Sequence, residues 1–281
     1  MTDISEPWLK VQNLTKQFGD GCEYCRGRNP EKLEKNYCPR CGTVYACQDV
    51  SFEVYEGEIL GVVGESGSGK STIMNCLYFD EDVTDGTCTI RDYHKGMSNI
   101  FEESSRQKRF IRNTLMGRVY QNPMLGLKME FSSMSNIAER LIAAGDRDVQ
   151  PMKERAEELL TCVNIPLFRA KEAPVNFSGG MQQRVQIAKA LSTKPPVLLL
   201  DEVTTGLDLS VQANVLDLIK KLQRELHITM IVVSHDLGVI RMLAERTIVM
   251  LNGRIIEAGL TDQIMEDPQH EYTQQLVYSL L

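Results

Sequence analysis

The sequence predicts an α/β fold, and three short apolar runs are the main reason. The runs Glu58–Val63, Val197–Leu200 and Ile228–Val233 each have the length and the unbroken apolar character of a buried strand. The first is followed by a glycine-rich bend and a helix that begins near Ser71, and the second precedes a helix that ends near Leu226. Buried strands that alternate with helices are typical of α/β proteins.

The bend after the first strand fits the pattern G-x-x-x-x-G-K-[ST]. Its residues are Gly64, Glu65, Ser66, Gly67, Ser68, Gly69, Lys70, Ser71 and Thr72. A strand, a glycine-rich bend and a helix start direct successive backbone N–H groups to one point, which forms a cradle for phosphate. Lys70 is predicted to reach the β- and γ-phosphates, and the Ser71 hydroxyl to ligate Mg²⁺. The alternative is a chance glycine-rich turn, which the flanking strand and helix disfavour, so the sequence predicts binding of a nucleoside triphosphate.

Length and composition narrow the function classes. The 281 residues provide enough core for one large domain or two small ones, and the net charge of −7 gives no indication of nucleic-acid binding. No apolar run approaches the ~18 residues that a membrane helix needs. The N-terminal residues lack the basic and apolar regions of a signal peptide. We therefore expect a cytoplasmic protein, in which eight cysteines indicate metal binding or reduced thiols before disulfides.

Half of the cysteines form two C-x-x-C pairs between the predicted strands Trp8–Leu14 and Ala46–Val54. These residues are Cys22, Cys25, Cys38 and Cys41. Their spacing matches a tetrahedral Cys₄ zinc site, and the polar residues between the pairs cannot form a core without a metal. An iron–sulfur cluster and four ordinary thiols are the alternatives. We expect a structural role, and we interpret the other cysteines as small apolar residues; these are Cys47, Cys76, Cys88 and Cys162.

The second half of the chain contains further candidate functional residues. A helical periodicity from about Asn136 to Val163 predicts a helical insert between two strand-rich halves. Ser178 and two glycines precede another helix, and this start exposes N–H groups, although by itself the segment is an ordinary N-cap. The second apolar strand ends in Asp201 and Glu202, whose side chains are expected to face opposite ways. Asp201 suits a role near Mg²⁺, Glu202 suits polarising a water, and His235 suits a contact with a γ-phosphate.

Together these features resemble the ATP-binding-cassette (ABC) ATPases over essentially the whole chain. The motifs that carry the resemblance are, in chain order, Phe18, the phosphate loop, Gln121, Ser178-Gly179-Gly180, Asp201-Glu202, Asp208 and His235. The resemblance implies a RecA-like P-loop core with an antiparallel β subdomain and a helical subdomain, and the Cys₄ zinc-ribbon-like insert is an addition. The implied boundaries are 8–281 for a single ATPase domain, 20–44 for the insert, 122–190 for the helical subdomain and 261–281 for a helical tail.

The resemblance also implies a role for each motif. Phe18 stacks on adenine. The chain pairs head to tail with a second copy of itself or with a paralogous ABC subunit. The segment Ser178-Gly179-Gly180 of one chain then closes over the ATP that is bound to the loop of the other. Glu202 acts as general base or positions the water, and His235 senses the γ-phosphate. Gln121 links Mg²⁺ and the water to the helical insert, where partners dock.

The same resemblance places Asp208 in the nucleotide-binding set. Two residues depart from the family pattern, because Val203 replaces the usual Pro and Met181 replaces the usual Gln. Neither change removes a charge from the motifs.

Two branches of the family are similar to this chain in the segments Phe177–Arg184 and Asp267–Leu276. They are the ATPases of peptide and nickel importers and the cassette protein of carbon–phosphorus lyase systems. Importers usually carry Ser-Leu-Asn-Pro after the conserved Gln, whereas this chain has Pro123-Met-Leu-Gly-Leu-Lys128. The segments Asn136–Gly145 and Asn252–Asp262 favour the lyase branch.

The favoured branch implies soluble lyase subunits as partners, with ATP, Mg²⁺ and structural Zn²⁺ as cofactors. A membrane permease is the alternative partner, and a zinc-bearing ATPase that only scaffolds its partner is the third interpretation. No nucleic-acid partner is expected.

Overall fold

The computed structural model describes residues 6–25 and 33–279, so residues 26–32 of the predicted insert and the last two residues of the predicted tail lie outside it. The strands of the described residues are β1 (Leu9–Phe18), β2 (Val44–Val54), β3 (Ile59–Gly64), β4 (Asp85–Ile90), β5 (Met116–Val119), β6 (Val197–Asp201), β7 (Thr229–Ser234), β8 (Arg246–Leu251) and β9 (Arg254–Leu260). The α-helices are α1 (Lys70–Leu77), α2 (Ser105–Thr114), α3 (Pro123–Gly126), α4 (Ser133–Ala144), α5 (Val149–Cys162), α6 (Gly179–Leu191), α7 (Leu209–Leu226), α8 (Leu237–Leu243), α9 (Thr261–Glu266) and α10 (Glu271–Tyr278).

The described residues form two compact units. The first contains the residues within 1–108 and 233–281, and the second those within 109–232. The chain passes from one unit to the other within α2 and returns within β7. No helix among the described residues is both long enough and apolar enough to cross a lipid bilayer.

The first unit contains an antiparallel sheet with the strand order β2-β1-β4. Leu9 in β1 lies opposite Val54 in β2 and Ile90 in β4, and all three side chains are buried. In the same unit β3 pairs with β8 in parallel, and β8 pairs with β9 as an antiparallel hairpin. Asn252 and Gly253 form the turn of this hairpin, and their φ values of 50° and 79° are positive, as a type I′ turn requires.

The second unit contains β5 and β6 as parallel neighbours, and β7 follows β6 in the strand order. Helices α3 to α6 lie between β5 and β6 in the chain. Over the segment 136–163, where the sequence predicts helical structure, the structure has two helices, α4 and α5. Gly145 ends α4 in the left-handed region with φ 116°, and the Asp148 carboxylate caps α5 by accepting a hydrogen bond from the Gln150 N–H.

Candidate nucleotide-binding and metal sites

The glycine-rich motif lies between β3 and α1 in the first unit. All residues of β3 are buried, and α1 begins at Lys70. The Lys70 ammonium donates hydrogen bonds to the carbonyl oxygens of Gly64 and Glu65, each at 2.8 Å. The first turn of α1 contains no acidic side chain, so nothing there neutralises the partial positive charge of the helix N-terminus. The loop therefore combines a cation with a helix start, which is the donor set that a triphosphate requires.

Two glycines of the loop are required by close backbone approaches. Gly64 and Gly69 have φ values of 152° and 103°. A Cβ atom on Gly69 would lie 2.1 Å from the carbonyl oxygen of Ala46, and one on Gly64 would lie 2.2 Å from that of Met250. Neither backbone oxygen can move far enough to accommodate a Cβ atom. Only glycine therefore fits at these two positions, where the loop packs against β2 and β8.

The β8–β9 turn supports the loop. The Gly253 N–H donates to the carbonyl oxygen of Ser68 at 3.0 Å, and the Gln48 N–H donates to that of Gly253 at 2.7 Å. A hydrogen-bonded path thus leads from β2 through the hairpin turn to the loop. In the motif as a whole, Glu65, Ser66 and Gly67 are exposed, Ser68, Gly69 and Lys70 are buried, Ser71 is exposed and Thr72 is half-buried on the first turn of α1.

Phe18 is the last residue of β1, and its side chain is 44% exposed. The Lys16 ammonium lies 4.8 Å from the centroid of the Phe18 ring. Lys16 is itself held by the carbonyl oxygen of Asp82 at 2.7 Å and by the carboxylate of Glu81 at 3.1 Å. A ring that is half-exposed and fixed beside a cation is suited to stacking on a planar base.

His235 belongs to the same unit and follows directly after β7. Its side chain is exposed, and the next residue, Asp236, caps α8 by accepting hydrogen bonds from the N–H groups of Gly238 and Val239. The cap fixes the backbone on the C-terminal side of the histidine.

Asp201 and Glu202 lie at the end of β6 in the second unit and have different partners. The Asp201 carboxylate is buried and lies 3.4 Å from the Arg118 guanidinium on β5. Glu202 has left the strand, with φ 45°, and its Oε2 accepts hydrogen bonds from the Gln121 amide at 2.9 Å and from the Thr205 hydroxyl at 3.2 Å. The two carboxylates thus have different partners, but the strand alternation on which the prediction of opposite faces rests does not apply, because the strand ends at Asp201 and the backbone turns at Glu202.

The parallel pairing of β5 and β6 explains why Gln121 meets Glu202. Val119 lies opposite Leu200, so the carboxyl ends of the two strands lie at the same edge. The turn after Glu202 is closed by a hydrogen bond of 3.1 Å from the Thr205 N–H to the Glu202 carbonyl oxygen. Val203, which replaces the family's Pro, is buried within this turn.

The Ser178-Gly179-Gly180 segment forms the start of α6. Ser178 is the N-cap residue, its exposed side chain makes no capping hydrogen bond, and the first turn of α6 contains no acidic residue. A Cβ atom on Gly180 would lie 2.3 Å from Val211 Cγ1, so α6 packs against α7 through this glycine. Asp208 is the N-cap residue of α7, and it is also exposed.

Arg118, which pairs with Asp201, and Thr205, which donates to Glu202, were not identified from the sequence. Arg118 is 6% exposed within an otherwise apolar strand. That position was a readable signal, because a buried cation requires an anionic partner. Thr205 could not be singled out by its residue type, since its contact with Glu202 depends on the turn between them.

The four predicted cysteine ligands converge in the first unit. Their Sγ atoms all lie within 4.8 Å of one another. Cys22 Sγ is 3.7 Å from Cys25 Sγ and 3.8 Å from Cys38 Sγ, and Cys25 Sγ is 3.6 Å from Cys41 Sγ. A tetrahedral zinc ion with Zn–S bonds of about 2.3 Å separates its sulfur ligands by about 3.8 Å. The distances therefore fit one tetrahedral ion, and they are too long for disulfides, whose sulfur atoms are about 2.05 Å apart.

Backbone turns bring each cysteine pair together. The Cys25 N–H donates to the Cys22 carbonyl oxygen at 3.0 Å, and the Gly42 N–H donates to the Cys38 carbonyl oxygen at 2.8 Å. The hydroxyl and the backbone N–H of Thr43 lower the pKa of Cys41 to about 6 because both stabilise the thiolate. A thiolate is the form of cysteine that binds a metal.

The cysteines outside this cluster have a different environment. Cys47, Cys76 and Cys88 are fully buried. Burial raises the pKa of Cys76 to about 12, and it raises the pKa values of Cys47 and Cys88 further. These three side chains are therefore neutral thiols packed as small apolar groups, as predicted, whereas Cys162 is only half-buried.

Comparison with known proteins relates the whole chain to one family. A family model described as ABC transporter matches residues 47–205. The chain is 39% identical over 278 residues to the putative phosphonates utilization ATP-binding protein PhnK of Escherichia coli (strain K12). The matched region covers 99% of this chain and 99% of that relative. It is also 38% identical over 247 residues to the oligopeptide transport ATP-binding protein OppD of Bacillus subtilis (strain 168). This matched region covers 85% of this chain and 67% of that relative.

Solved structures give the same relation. A dimeric ATP-binding cassette in a post-hydrolysis state, bound to ADP and Pi, has a TM-score of 0.74 and 29% sequence identity, over 90% of this chain and 98% of that chain. A second solved structure, the cbiO1 protein of Clostridium perfringens, has a TM-score of 0.76 at 23% identity over 94% of this chain and 92% of that chain, and supports the fold alone.

Proposed function

Because this chain belongs to the ATP-binding-cassette ATPases, which bind ATP and Mg²⁺ and hydrolyse ATP, we propose that it is the ATPase subunit of a carbon–phosphorus lyase complex for phosphonate breakdown. The observation that carries the proposal is the end-to-end match with the phosphonates utilization protein, which covers 99% of both chains. The importer relative is matched over 67% of its length. ATP turnover would drive a conformational change in the lyase complex, and the chemistry on the phosphonate would belong to the partner subunits.

Both units contain residues that we assign to ATP binding and hydrolysis. In the first unit, Lys70 and the N–H groups of the loop hold the phosphates, Ser71 ligates Mg²⁺ and Phe18 stacks on adenine. The cradle fits this ligand, because Gly64 and Gly69 leave no room for a Cβ atom and the start of α1 contains no competing carboxylate. His235, exposed after β7, is assigned the contact with the γ-phosphate.

In the second unit, Glu202 is assigned the water that attacks the γ-phosphate. Two hydrogen bonds, from Gln121 and Thr205, fix the orientation of its carboxylate. Gln121 is proposed as a further ligand of Mg²⁺, and Asp201 is assigned to the metal from its buried position beside Arg118. The bound Mg²⁺ would neutralise charge on the phosphates during hydrolysis.

Members of this family work as dimers with partner subunits. We assign Ser178, Gly179, Gly180 and Asp208 to the second half of a nucleotide sandwich formed with another copy of this chain or with a paralogous ABC subunit. The start of α6 suits this role, since the Ser178 side chain is not used for capping and no acidic residue lies in the first turn.

The proposed domain organisation is one ABC ATPase domain over residues 8–281. Helices α3 to α6 lie almost entirely within the proposed partner-docking helical subdomain, 122–190, and α9 and α10 lie within the proposed tail, 261–281. The insert, 20–44, contains the cysteine cluster.

We assign one structural zinc ion to the cysteine cluster. The Sγ distances of 3.6–3.8 Å fit a single tetrahedral ion. Metal analysis of the purified protein is expected to give one zinc per chain, which is lost in Cys22→Ser and retained in Cys162→Ser. Iron accompanied by visible absorbance would replace zinc by an iron–sulfur centre.

A second candidate function is the ATPase subunit of a peptide or nickel importer. It is favoured by the 38% identity to the oligopeptide transport protein over 247 residues. The partner separates the two functions, because an importer ATPase binds integral membrane subunits and a lyase ATPase binds soluble ones.

The test is affinity isolation of the tagged protein from its own host, followed by mass spectrometry. We expect soluble lyase subunits. Phe168, which is 84% exposed in the proposed docking subdomain, offers a disrupting variant, Phe168→Asp, and Met97, which is 80% exposed in the first unit, offers the control Met97→Asp. Capture of lyase subunits that is reduced only by Phe168→Asp supports the proposal. Capture of integral membrane subunits instead contradicts it and establishes the importer function.

A further inference from the structure

The cysteine cluster lies at the end of the β-hairpin that carries Phe18. Phe18 is the last residue of β1, Val44 is the first residue of β2, and the two are paired across the sheet. All four cysteines are contributed by the connection between these two residues. Whatever fixes this connection therefore acts first on the position of Phe18.

Thr43 joins the second cysteine pair to the segment that follows Phe18. Its side chain is buried, and its Oγ1 accepts a hydrogen bond from the Gly21 N–H at 3.0 Å. The same Oγ1 lies 3.2 Å from Cys41 Sγ, which donates to it as a thiol. In the thiolate form that binds a metal, Cys41 would instead accept a hydrogen bond from the Thr43 hydroxyl. The Thr43 carbonyl oxygen accepts from the Cys38 N–H at 2.8 Å. One residue thus contacts two metal-ligand residues and the chain on the other side of the hairpin.

Gly19 shows how closely this chain approaches Thr43. Gly19 has φ 108°, and a Cβ atom on it would lie 2.8 Å from Thr43 Oγ1 and 3.3 Å from Thr43 Cα. Gly19, the residue directly after Phe18, therefore packs closely against Thr43, in a backbone conformation that glycine adopts without strain.

Tyr45 joins the first cysteine pair to β2. Its ring is buried against Cys25, Leu33 and Cys38, and its hydroxyl donates to the Cys25 carbonyl oxygen at 3.0 Å. This small apolar group around Tyr45 buries too little surface to stabilise the connection between β1 and β2 by itself. A metal ion bound by the cysteines is therefore needed to stabilise the connection.

We propose that the metal ion bound by Cys22, Cys25, Cys38 and Cys41 fixes Phe18 for stacking on adenine, with Thr43 as the positioning residue, so that metal occupancy sets the affinity for ATP. The inference rests on the proposed function, which assigns Phe18 to adenine and the cluster to zinc. It adds a role in nucleotide recognition to a site that would otherwise be only structural.

Loss of the metal is expected to change the contact with adenine and not the contacts with the phosphates. Away from its end, the hairpin is held by the pairing of β1 with both β2 and β4. The phosphate loop has its own supports, including the hydrogen bond of 3.0 Å from Gly253 to Ser68 and the backbone approach of Ala46 to Gly69. Loss of the metal therefore loosens Phe18 and leaves the phosphate cradle in place.

The experiment measures the affinity of the full-length protein for two probes, MgATP and magnesium tripolyphosphate, which lacks adenine. Calorimetry is performed on the zinc-loaded protein, after zinc removal with a strong chelator and a reductant, and after zinc is restored. Removal is expected to weaken MgATP binding about 10- to 100-fold, the range of one base–aromatic stack. Tripolyphosphate affinity is expected to stay within about 2-fold, since its contacts are those of the cradle.

Variants of Thr43 separate positioning from folding. Thr43→Val keeps the shape of the side chain and removes the hydroxyl, so it is expected to retain zinc but weaken MgATP binding several-fold. Thr43→Ser keeps the hydroxyl and is expected to restore the wild-type affinity. Phe18→Ala is expected to weaken MgATP binding with or without zinc.

The outcomes distinguish this inference from the proposed function. MgATP affinity that is independent of zinc, equal losses for both probes, or a Thr43→Val variant that binds MgATP like the wild type would each overturn the inference. If Phe18→Ala itself binds MgATP normally, the assignment of Phe18 to adenine is wrong, and the inference fails with it.

Discussion

The side-chain amide of Gln121 donates a hydrogen bond of 2.9 Å to the carboxylate of Glu202. Gln121 follows β5 and leads into α3, whereas Glu202 follows β6. The bond thus connects the entrance of the helical segment to the carboxylate that is proposed to act on water. A partner that moves this segment would change the orientation of Glu202, which gives partner binding a physical route to ATP hydrolysis.

Replacing Glu202 by Gln is expected to separate binding from hydrolysis. The substitution keeps the size of the side chain but removes the proton acceptor, so phosphate release should fall by about 10²- to 10⁴-fold while ATP affinity is retained. ATP should then trap a closed dimer, visible by size-exclusion chromatography. Glu245→Gln, at an exposed carboxylate of the first unit, is the control and should hydrolyse ATP normally. Wild-type turnover in Glu202→Gln would remove the proposed role.

Replacing Lys70 by Ala is expected to abolish tight nucleotide binding. The ammonium, held at 2.8 Å from the Gly64 and Glu65 carbonyl oxygens, is the cation of the loop. Its loss should weaken MgATP binding about 10- to 100-fold, the range for hydrogen bonds to charged groups. Calorimetry measures the change, and Lys171→Ala, at an exposed lysine of the second unit, should bind normally. Unchanged affinity in Lys70→Ala contradicts the assignment.

Replacing Arg118 by Met tests the buried ion pair with Asp201. The two side chains are 2% and 7% exposed, so removal of the cation leaves a buried carboxylate without its charged neighbour. We expect the free energy of unfolding in urea to fall by about 3–5 kcal/mol. The double variant Arg118→Met/Asp201→Asn should recover part of this loss, because the remaining group is neutral. A single variant within about 0.5 kcal/mol of wild type would show that the pair does not stabilise the fold.

Two adjacent glycines at the start of α6 provide a matched pair of variants. A Cβ atom on Gly180 would lie 2.3 Å from Val211 Cγ1, whereas one on Gly179 would lie 3.4 Å from Leu207 Cδ2. Gly180→Ala should therefore destabilise the protein by about 1–3 kcal/mol through overpacking. Gly179→Ala should be neutral or stabilising, because Ala favours a helix by about 1 kcal/mol. Equal unfolding midpoints of the two variants in urea would contradict the close packing of α6 on α7.

The parts of the structure that the sequence predicts well are those encoded locally. The strand, glycine-rich bend and helix around Lys70 follow from residue types that are neighbours in the chain. The two C-x-x-C pairs predict the convergence of four thiolates in the same way, since each turn presents two of them. The break between α4 and α5 was also readable, from Gly145 and the capping residue Asp148, but the apolar periodicity on both sides obscured it.

The contacts that the sequence does not predict join residues that are distant in the chain. Arg118 and Asp201 meet only because β5 and β6 are neighbours. Thr43 meets Gly21 and Cys41 only because the connection folds back on itself. Threonine is common in such loops, so its residue type alone carries no signal of this role.

The most direct test of the proposed function is growth of the host on a phosphonate as its only source of phosphorus, after deletion of this chain. The account predicts no growth, rescue by the wild-type chain and no rescue by Glu202→Gln, with all strains growing equally on inorganic phosphate. Growth of the deletion strain on the phosphonate at the wild-type rate would contradict a role in carbon–phosphorus bond cleavage.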